Sequence, residues 1–509
     1  MKVNHPHRLA HSCLILFLTS SPLSGIAGIA TEQVSIPDTG QNRCYNNSRA
    51  IPCPQTGEAF SGQDAQIFGN MPTYQDNHNN TVSDLTTGLI WSKAVSTDKV
   101  SLNEAKKIAA NMDLGGYTDW RVPNIKELYS LIDFRGYAGF SSNSRAGVQE
   151  KIPANAIPFI NTDYFDFLYG ASNERYMDAQ WLSSSSYSST TMRGDKTLFG
   201  VNFADGRIKG YGYQKPGSQR PHKKFYARYV RGKQYGHNDF IDNNDSTISD
   251  QATGLTWAKI DSQKALSWEQ ALNYADQLQL AGHQDWRLPN AKELQYIIDY
   301  KRSPDATHSA AIDPIFTSSL ISNEKGVSDY PFYWTSTTHL DGPRPGSHAA
   351  YIAFGRALGQ MRGEIMDVHG AGAQRSDPKT GQPTVGHGPQ GDVQRIQNYV
   401  RVVRGGLTST KANSKPIDSS HYPYNVDHTN FSVDAIQMKV SGEQLQKMSP
   451  SEFGVHFVER LDRDGDNRVS RREFDGPANR FDHHDSNGDS FLTANEAPPP
   501  PTNRRRPTQ

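Results

Sequence analysis

Apolar positions in this chain come in short runs separated by glycine, asparagine and serine, which predicts many brief elements. Residues 84–88 and 250–254 carry turn signals, and each leads into an apolar stretch that contains Trp91 or Trp257. A short apolar run that follows a turn is typical of a strand. The pattern as a whole, with its many loop-forming residues, predicts a loop-rich α+β fold.

Amphipathic helices are predicted after each of these strands. Ser101 and Glu104 have the spacing of a capping box, as do Ser267 and Gln270. A second helix is predicted after Asn124 and after its counterpart in the later half of the chain. The predicted buried faces comprise Ala105, Ile108, Ala109 and Met112 in the first helix and Ile125, Leu128 and Ile132 in the second.

A long segment of the sequence occurs twice. Residues 81–133 recur without a gap as residues 247–299, and close to half of the positions are identical. The identical positions include glycine, tryptophan and an Asp-Trp-Arg triplet, which are residues that fix turns and core contacts. Downstream, residues 181–184 resemble residues 334–337 more loosely. We therefore predict two tandem globular domains.

The N-terminus has the features of an export signal. Lys2 and Arg8 precede the apolar run 13–18, and small residues that suit a signal peptidase follow at 25–30. The run is too short to span a bilayer, and no later segment reaches the roughly 18–20 apolar residues of a transmembrane helix. We expect an exported protein that is periplasmic, located at the cell surface or secreted.

Cysteine and charge content narrow the chemistry further. Downstream of the signal only Cys44 and Cys53 remain, and in an oxidising compartment we expect them to close a local disulfide. A metal or redox pair is the alternative, although no CxxC spacing is present. The chain has 53 basic and 53 acidic residues, with no basic stripe outside residues 504–506. Nucleic acid is therefore not an expected partner.

These motifs resemble the Lcl C-terminal domain family, named for the end domain of a bacterial collagen-like surface adhesin. Both repeats contain TGL-x-W, G-x-x-DWR-[VL]-PN-x-KEL and W-x-S, and the second ends in YVRVVRGG. The resemblance covers roughly residues 36–405. It implies two tandem lectin-like domains, similar in their irregular fold to the formylglycine-generating enzymes. It also implies adhesion, including the binding of sulfated polysaccharide.

The same resemblance excludes some chemistry. Formylglycine-generating enzymes use a cysteine pair, and neither repeat contains cysteine; the EPN or QPD triplet of sugar-binding C-type lectins is also absent. Asp119 and Asp285 could act as acid–base groups beside Arg121 and Arg287. Carboxylates in separate domains do not form the facing pair of glycoside hydrolases, so we interpret each triplet as a loop anchor and expect no catalytic residues.

Two other features are candidates for binding. Each repeat closes in an alternating strand, at 226–232 and 399–405, and long polar insertions lie at 341–348 and 369–392. The insertions could be binding loops or disordered segments. Arginines on the closing strands could present cations to acidic polysaccharide, because alternate residues share a face, or could serve packing and ion pairs. These arginines are Arg228, Arg231, Arg401 and Arg404.

The C-terminal segment resembles a bacterial EF-hand pair and predicts calcium binding. Residues 462–473 and 485–496 form two twelve-residue loops, each with oxygen ligands at alternate positions and a glutamate at the end. Val469 and Leu492 occupy equivalent positions where paired loops exchange a short strand contact. The predicted calcium ligands are Asp462, Asp464, Asp466, Arg468 through its carbonyl, Ser470 and Glu473 in the first loop and Asp485, Asn487, Asp489, Phe491 through its carbonyl, Thr493 and Glu496 in the second.

Both loops depart from the usual pattern at the sixth position, where Asn467 and Ser490 replace glycine. Asn tolerates a left-handed backbone better than Ser does, so we expect the second site to be weaker. Affinities on the order of 10⁻⁴–10⁻³ M would still be useful outside the cell. The full fold prediction is thus α+β, with two tandem lectin-like domains and a small all-α EF-hand pair.

Three functions are compatible with these features. The leading hypothesis is an exported, calcium-binding, non-catalytic adhesion-type protein that binds a polysaccharide or a surface protein. The alternatives are a carbohydrate-active or other enzyme of unknown reaction and a structural envelope spacer. The predicted organisation is a signal peptide (1–30), a lead-in with the disulfide (31–80), two repeats (81–232 and 233–405), a linker (406–446), the EF-hand pair (447–497) and a disordered tail (498–509).

Overall fold

Strands predominate in the part of the chain that this computed structural model describes. The α+β prediction is wrong, because strands make up 31% and helices only 11%. The helices that follow the turn motifs are short, and the segments between the repeated motifs form sheets. The described residues are 1–2, 34–95, 98–139, 152–153, 155–171, 174–219, 221–342, 344–406, 457–458, 461, 468–471, 474 and 478–497.

The helices of the repeats begin where the capping boxes predict. Ser101, Asn124, Ser267 and Asn290 each accept a hydrogen bond from the backbone of the first turn. Ile108 is exposed, unlike the buried alanines on either side of its predicted face. The described helices are α1 (Leu102–Ala110), α2 (Ile125–Ser130), α3 (Trp268–Gln277), α4 (Ala291–Tyr296) and α5 (Ala478–His484).

The strands fall into seven sheets within the described residues. They are β1 (Cys44–Tyr45), β2 (Ala50–Ile51), β3 (Tyr74–Asp76), β4 (Thr81–Asp84), β5 (Ile90–Ser92), β6 (Gln180–Thr191), β7 (Asp195–Asn202), β8 (Arg207–Gln214), β9 (Val230–Arg231), β10 (Phe240–Asp242), β11 (Thr247–Asp250), β12 (Leu255–Ala258), β13 (Ile321–Ser322), β14 (Ser328–Asp329), β15 (Phe332–His339), β16 (His348–Ala353), β17 (Leu358–Met361), β18 (Glu364–Asp367), β19 (Gln374–Pro378), β20 (Thr384–His387), β21 (Asp392–Gln394), β22 (Val403–Arg404), β23 (Val469–Ser470) and β24 (Phe491–Leu492).

Each repeat has its own four-stranded antiparallel sheet. The order is β3-β4-β5-β9 in the first repeat and β10-β11-β12-β22 in the second. Trp91 in β5 and Trp257 in β12 are fully buried, as their place in predicted strands implies. The closing strands β9 and β22 are shorter than the alternating pattern predicts. These two sheets are the structural form of the repeated sequence.

A six-stranded sheet runs through both repeats. Its order is β15-β16-β19-β8-β7-β6, and Ile208 of β8 faces Gln374 of β19 at the junction. One hydrophobic core takes residues from both halves, including Trp91, Leu128 and Leu294. The insertion 369–392 contributes β19, β20 and the start of β21 instead of a disordered loop. The repeats therefore share a sheet and a core.

The structure also corrects the alignment of the second half of each repeat, in which the sequence matches residues 181–184 to residues 334–337. Trp181 bridges to Tyr226, and the matching bridge in the second repeat joins Tyr333 to Tyr399. The counterpart of Trp181 is thus Tyr333, one residue before the Trp334 that the sequence suggests. The match between Trp181 and Trp334 places the two strands out of register by one residue, because equivalent strand positions are set by backbone pairing and not by side-chain identity.

The N-terminal and C-terminal segments add two small elements. Cys44 and Cys53 form a disulfide beside the β1–β2 hairpin. Near the C-terminus Val469 pairs with Leu492, and the two strands pack with α5 around Phe481. The prediction of an all-α pair is wrong, because β23 and β24 form a sheet in this module.

Candidate functional site

The aspartates of the duplicated Asp-Trp-Arg triplets lie at the surface and are ion-paired, whereas the tryptophans Trp120 and Trp286 are buried. Asp119 pairs with Arg231 at 2.6 Å, and Asp285 pairs with Arg404 at 2.8 Å. Hydrogen bonding to these arginines lowers the pKa of both carboxyl groups. A carboxylate held in its ionised form by an arginine is a poor general acid. The anchoring interpretation of Asp119 and Asp285 therefore fits the geometry, although their partners come from the closing strands and not from the triplets.

The arginines of the triplets fix the helix that follows. Arg121 donates to both carboxylate oxygens of Glu127, at 2.6 and 2.7 Å. Arg287 makes the same bidentate pair with Glu293 at 2.7 and 2.6 Å. Because both glutamates also accept the backbone N–H of the helix cap, each arginine locks the start of α2 or α4.

Two of the four closing-strand arginines are buried and cannot present a cation to a ligand. Arg228 donates to the carbonyls of Ser92, Lys93 and Asp166. Its counterpart Arg401 donates in the same way to three carbonyls of the second repeat. The polysaccharide hypothesis therefore does not rest on these arginines, which tie backbone segments together instead.

A basic cleft lies where hairpins of the two repeats approach each other. Its volume is about 610 Å³, and it is bounded by the β6–β7 turn, the end of β8 with the segment after it, and the β17–β18 turn. Four cationic side chains line it, and Asp195 is its acidic residue. Met192, Tyr213, Pro221, Met361 and Met366 supply apolar surface. The cationic residues are Arg193, Lys215, Lys223 and Arg362.

The four cations differ in their partners. Arg193 forms an ion pair with Glu364 at the start of β18. The ammonium of Lys223 lies 5.0 Å from the ring centre of Tyr211, and desolvation lowers the pKa of this lysine. Lys215 and Arg362 have no ionic partner among the described residues. The cleft therefore offers at least two uncompensated positive charges.

A second pocket lies between the repeats, beside Lys126. It has a volume of about 330 Å³ and is lined by parts of α2, the segment after β9 and the segment after α4. Lys126 donates to the carbonyls of Gly236 and Tyr296, at 3.0 and 2.5 Å, and to Asn238. Desolvation lowers the pKa of Lys126 to about 8.

The counterpart of Lys126 in the second repeat is wholly enclosed. Lys292 donates to the carbonyls of Asp38 and Ser130, at 2.8 and 2.9 Å. Nearby, Asp64 accepts hydrogen bonds from Thr39 and Thr337. Burial, with a smaller contribution from the neighbouring Asp38, raises the pKa of Asp64 to about 8. The lead-in segment thus seals one of two equivalent positions between the repeats.

The described part of the C-terminal module includes the second predicted calcium loop. Ser490 has φ 69°, so the sixth position does adopt the left-handed conformation that favours glycine. Asp485, Asn487 and Asp489 accept backbone N–H groups of their own loop. Among the described residues no three acidic, histidine or cysteine side chains converge as a metal cluster would require.

The last residue of this loop, Glu496, forms hydrogen bonds within the loop itself. Glu496 accepts hydrogen bonds from the hydroxyl groups of Thr493 and Ser486, at 2.8 and 3.1 Å. Burial opposes its ionisation, but these hydrogen bonds outweigh burial and lower its pKa. In the first loop Arg468 and Ser470 are described, whereas the predicted ligands Asp462, Asp464, Asp466 and Glu473 lie outside the described residues.

The basic cleft and the pocket beside Lys126 carry no signal in the sequence. Lys126 belongs to the repeated KEL motif, but the other charged residues that line the two sites come from separate loops and hairpins, so no local motif contains either set. The only hint is the repeat itself, because positions that differ between equivalent sites show where the two halves have specialised.

Fold and clefts together define a β-rich protein of two fused repeats that display hairpins and pockets. The chain belongs to the Lcl C-terminal domain family, which matches residues 80–231 and 246–368, more than half of the sequence. No curated protein and no solved structure gives a significant match. None of the helices in the described segments is both long and apolar enough to cross a membrane.

Proposed function

We propose that this protein is an exported, non-catalytic binding protein of adhesion type and that its basic cleft binds an acidic polysaccharide. The observation that carries the proposal is the convergence of Arg193, Lys215, Lys223 and Arg362 on one cleft. Sulfate or carboxylate groups spaced along a sugar chain complement cations held apart on a fixed frame. Tyr213 adds a ring against which a sugar can pack.

The position of the cleft supports binding of an extended chain. Both repeats contribute to it, through turns at the end of the shared sheet and the adjoining hairpin. Met192, Arg193 and Arg362 all have positive φ values, between 47° and 65°. Tight turns of this kind project side chains outward from strands that are themselves fixed. The polysaccharide would therefore meet preorganised cations.

Charge removal at the cleft tests this proposal. We expect the double substitution Lys215→Gln with Arg362→Gln to weaken binding to a sulfated polysaccharide such as heparin by about tenfold. Binding should also weaken as salt rises, because exposed charges are screened. The measurement is titration calorimetry of the mature protein at two salt concentrations, with a neutral dextran as the reference polymer.

The matched control removes two lysines elsewhere. Lys106 and Lys107 lie on the exposed side of α1, and Lys106→Gln with Lys107→Gln changes the net charge equally. Equal loss of affinity in both double variants would show that binding follows net charge and not the cleft. Absence of saturable binding to any acidic polysaccharide would favour the envelope-spacer alternative, and turnover of the polymer would favour the enzyme.

We also propose that the two C-terminal loops bind calcium and that the ion stabilises this module. The donor set fits, since every predicted ligand is a carboxylate, amide, hydroxyl or carbonyl oxygen, which calcium prefers. The Val469–Leu492 pairing and the left-handed Ser490 also support it. Bound calcium would supply a positive charge that holds the loop carboxylates together, so its role would be to stabilise the C-terminal module and not to act as a signal.

Calcium dependence of unfolding tests this second proposal. We expect millimolar calcium, but not magnesium, to raise the melting temperature of the C-terminal module in the full chain. Glu473→Gln together with Glu496→Gln should remove the effect, because a neutral amide cannot close the shell as a carboxylate does. Melting that ignores calcium in the unsubstituted protein would contradict the proposal.

A further inference from the structure

The repeated frame places Lys126 and Lys292 in equivalent positions between the two halves. Each lysine donates to the carbonyl at the end of the other repeat's helix: Lys126 to Tyr296 and Lys292 to Ser130. Tyr296 and Ser130 are themselves equivalent in the sequence repeat. The surroundings of the two lysines can therefore be compared atom by atom.

One of the two positions is occupied by the lead-in segment 38–41. The backbone N–H of Phe134 donates to the carbonyl of Thr39 at 2.8 Å, and Lys292 donates to that of Asp38. The Gln41 side-chain amide pairs with both backbone groups of Thr338, at 2.7 and 2.8 Å. An extended polar segment thus fills this position through backbone carbonyls and one amide.

Gly40 fits a narrow part of the same position. Its φ is 81°, and a Cβ atom here would lie 3.0 Å from Oδ1 of Asp133 and 3.1 Å from Nε of Arg135. A larger residue would meet this ion pair and would also need a left-handed backbone. Glycine is therefore the residue that fits this point of the lead-in without strain.

The other position is the open pocket of about 330 Å³ beside Lys126. Its lining includes Tyr300 and Lys301, the counterparts of Phe134 and Arg135, and Ser185, the counterpart of Thr337. Ser185 accepts a hydrogen bond from the backbone N–H of Ile125, as Thr337 does from Ala291. The residues that contact the lead-in in the enclosed position therefore have counterparts around the open pocket.

Hydrogen-bonding groups that the lead-in satisfies on one side are unsatisfied on the other. Thr337 donates its hydroxyl to Asp64, but Ser185 donates to none of the residues that the structure describes. The N–H of Phe134 meets Thr39, whereas the N–H of Tyr300 has no acceptor among the described residues. Lys301 adds an exposed cation. The pocket therefore offers donors to a ligand rich in carbonyl and carboxylate oxygens.

We propose that this pocket is a peptide-binding site for an extended segment of another protein with the chemistry of the lead-in. Such a segment carries an acidic residue, a hydroxyl residue, a glycine and an amide in succession. Its carbonyls would accept from Tyr300, as the carbonyl of Thr39 accepts from Phe134. Its carboxylate would take, beside Ser185 and Lys301, the place that Asp64 holds at Thr337 in the enclosed position. The volume suits a short ligand of this kind. This site is separate from the basic cleft, and its occupant does not depend on the function proposed for that cleft.

A synthetic copy of the lead-in is the probe that tests the proposal. The peptide Val-Ser-Ile-Pro-Asp-Thr-Gly-Gln, which reproduces residues 34–41, is titrated into the full chain with a fluorescent label at its N-terminus. We expect saturable binding that Ser185→Ala and Lys301→Glu each weaken several-fold. Lys301 is exposed, so its variant keeps the test valid if Ser185→Ala disturbs the start of α2.

Two controls identify the site. A peptide with valine in place of its glycine should lose at least tenfold in affinity, because the left-handed backbone that Gly40 adopts, at φ 81°, is strained for a β-branched residue. A photoreactive residue in place of the peptide's threonine should cross-link to residues 297–301, because Thr39 of the lead-in meets Phe134, the counterpart of Tyr300. Cross-links confined to residues 131–135, which would mean exchange with the lead-in itself, would overturn the proposal. Absence of binding at millimolar peptide, or binding that neither variant changes, would do the same.

Discussion

Lys126 and Lys292 occupy the same place in two copies of one frame, yet one borders an open pocket and the other is enclosed. The difference comes from a segment outside the repeat. Asp38 and its neighbours enclose Lys292, whereas Lys126 contacts Gly236 and Asn238 and still borders the pocket. The duplicated frame thus fixes where a ligand can lie, while the added segments decide which copy remains open. Specialisation here results from filling one site and not from altering the frame.

The largest effect on stability is expected at the buried arginines of the closing strands, where the two repeats are alike. Arg228 and Arg401 are fully buried, and each donates to three carbonyls. We expect Arg228→Met and Arg401→Met each to lower the free energy of unfolding by about 3 kcal/mol, because the carbonyls lose their donors. Urea unfolding followed by tryptophan fluorescence measures this, with Lys106→Met on the exposed face of α1 as the control.

The form of the unfolding curve sharpens this first prediction. Because the six-stranded sheet and the main core include both repeats, either substitution should shift one common transition of residues 34–406. If Arg228→Met instead unfolded the first repeat alone and left a second transition unmoved, the two copies would be independent units, and the shared core would contribute little.

Local features of the fold could be predicted from the sequence. Capping boxes, turn glycines and the strands of Trp91 and Trp257 depend on neighbouring residues, so a short window contains their cause. The joining of the sheets could not be predicted, because Ile208 and Gln374 are far apart in the chain. Neither could the basic cleft, since Lys215 and Arg362 come from different hairpins.

The insertion 369–392 shows why composition alone misleads. Its polar residues suggest a loop or disorder, yet Arg375 and His369 are buried and both bind Asp392. Buried polar side chains that satisfy one another allow strands to form without an apolar pattern. The predicted α+β class failed for the same reason, as segments without clear periodicity turned out to be strands.

A smaller effect on stability is expected when either lysine is substituted, and its size should differ between Lys292 and Lys126. Lys292 is almost wholly buried, whereas Lys126 is half-buried beside the pocket. We expect Lys292→Met to lower the free energy of unfolding by about 2 kcal/mol, because the carbonyls of Asp38 and Ser130 would lose their donor in a place that water cannot reach. Lys126→Met should lower the free energy of unfolding by about half as much, since water in the pocket can donate the hydrogen bonds that the lysine ammonium made. Equal losses in urea unfolding would contradict the view that one site is filled and the other open.

The filled site should contribute to the pH dependence of stability, together with Asp367 and Asp377, whose pKa values burial raises to about 7. Asp64 has a pKa of about 8 in the folded protein, mainly through burial, against about 3.9 in an unfolded chain. Between these values the folded state binds the extra proton, so stability falls as pH rises, on the order of 1 kcal/mol per pH unit. Asp64→Asn should remove the share of this slope that Asp64 contributes, whereas the exposed Asp163→Asn should leave the slope unchanged. A slope that Asp64→Asn leaves unchanged would place the titrating group elsewhere.

The smallest effect is expected at the surface anchors, where the two copies are again alike. Asp119 and Asp285 are more than half exposed and paired with Arg231 and Arg404. Their pKa values are lowered in the folded state, so whatever they add to stability is present above an ordinary aspartate pKa and is lost as pH falls. Exposed pairs are screened by water and salt.

We therefore expect Asp119→Asn and Asp285→Asn to leave the melting temperature nearly unchanged at neutral pH, and alike in the two repeats. Thermal unfolding in low and high salt measures this, with the buried-arginine variants as the contrasting reference. Binding to acidic polysaccharide should also be unaffected, since neither carboxylate lines the basic cleft. A large loss of binding in one variant only would mean that the triplet of that repeat has acquired a role its copy lacks. The open and closed lysine sites would then be one of two places where the repeats have diverged.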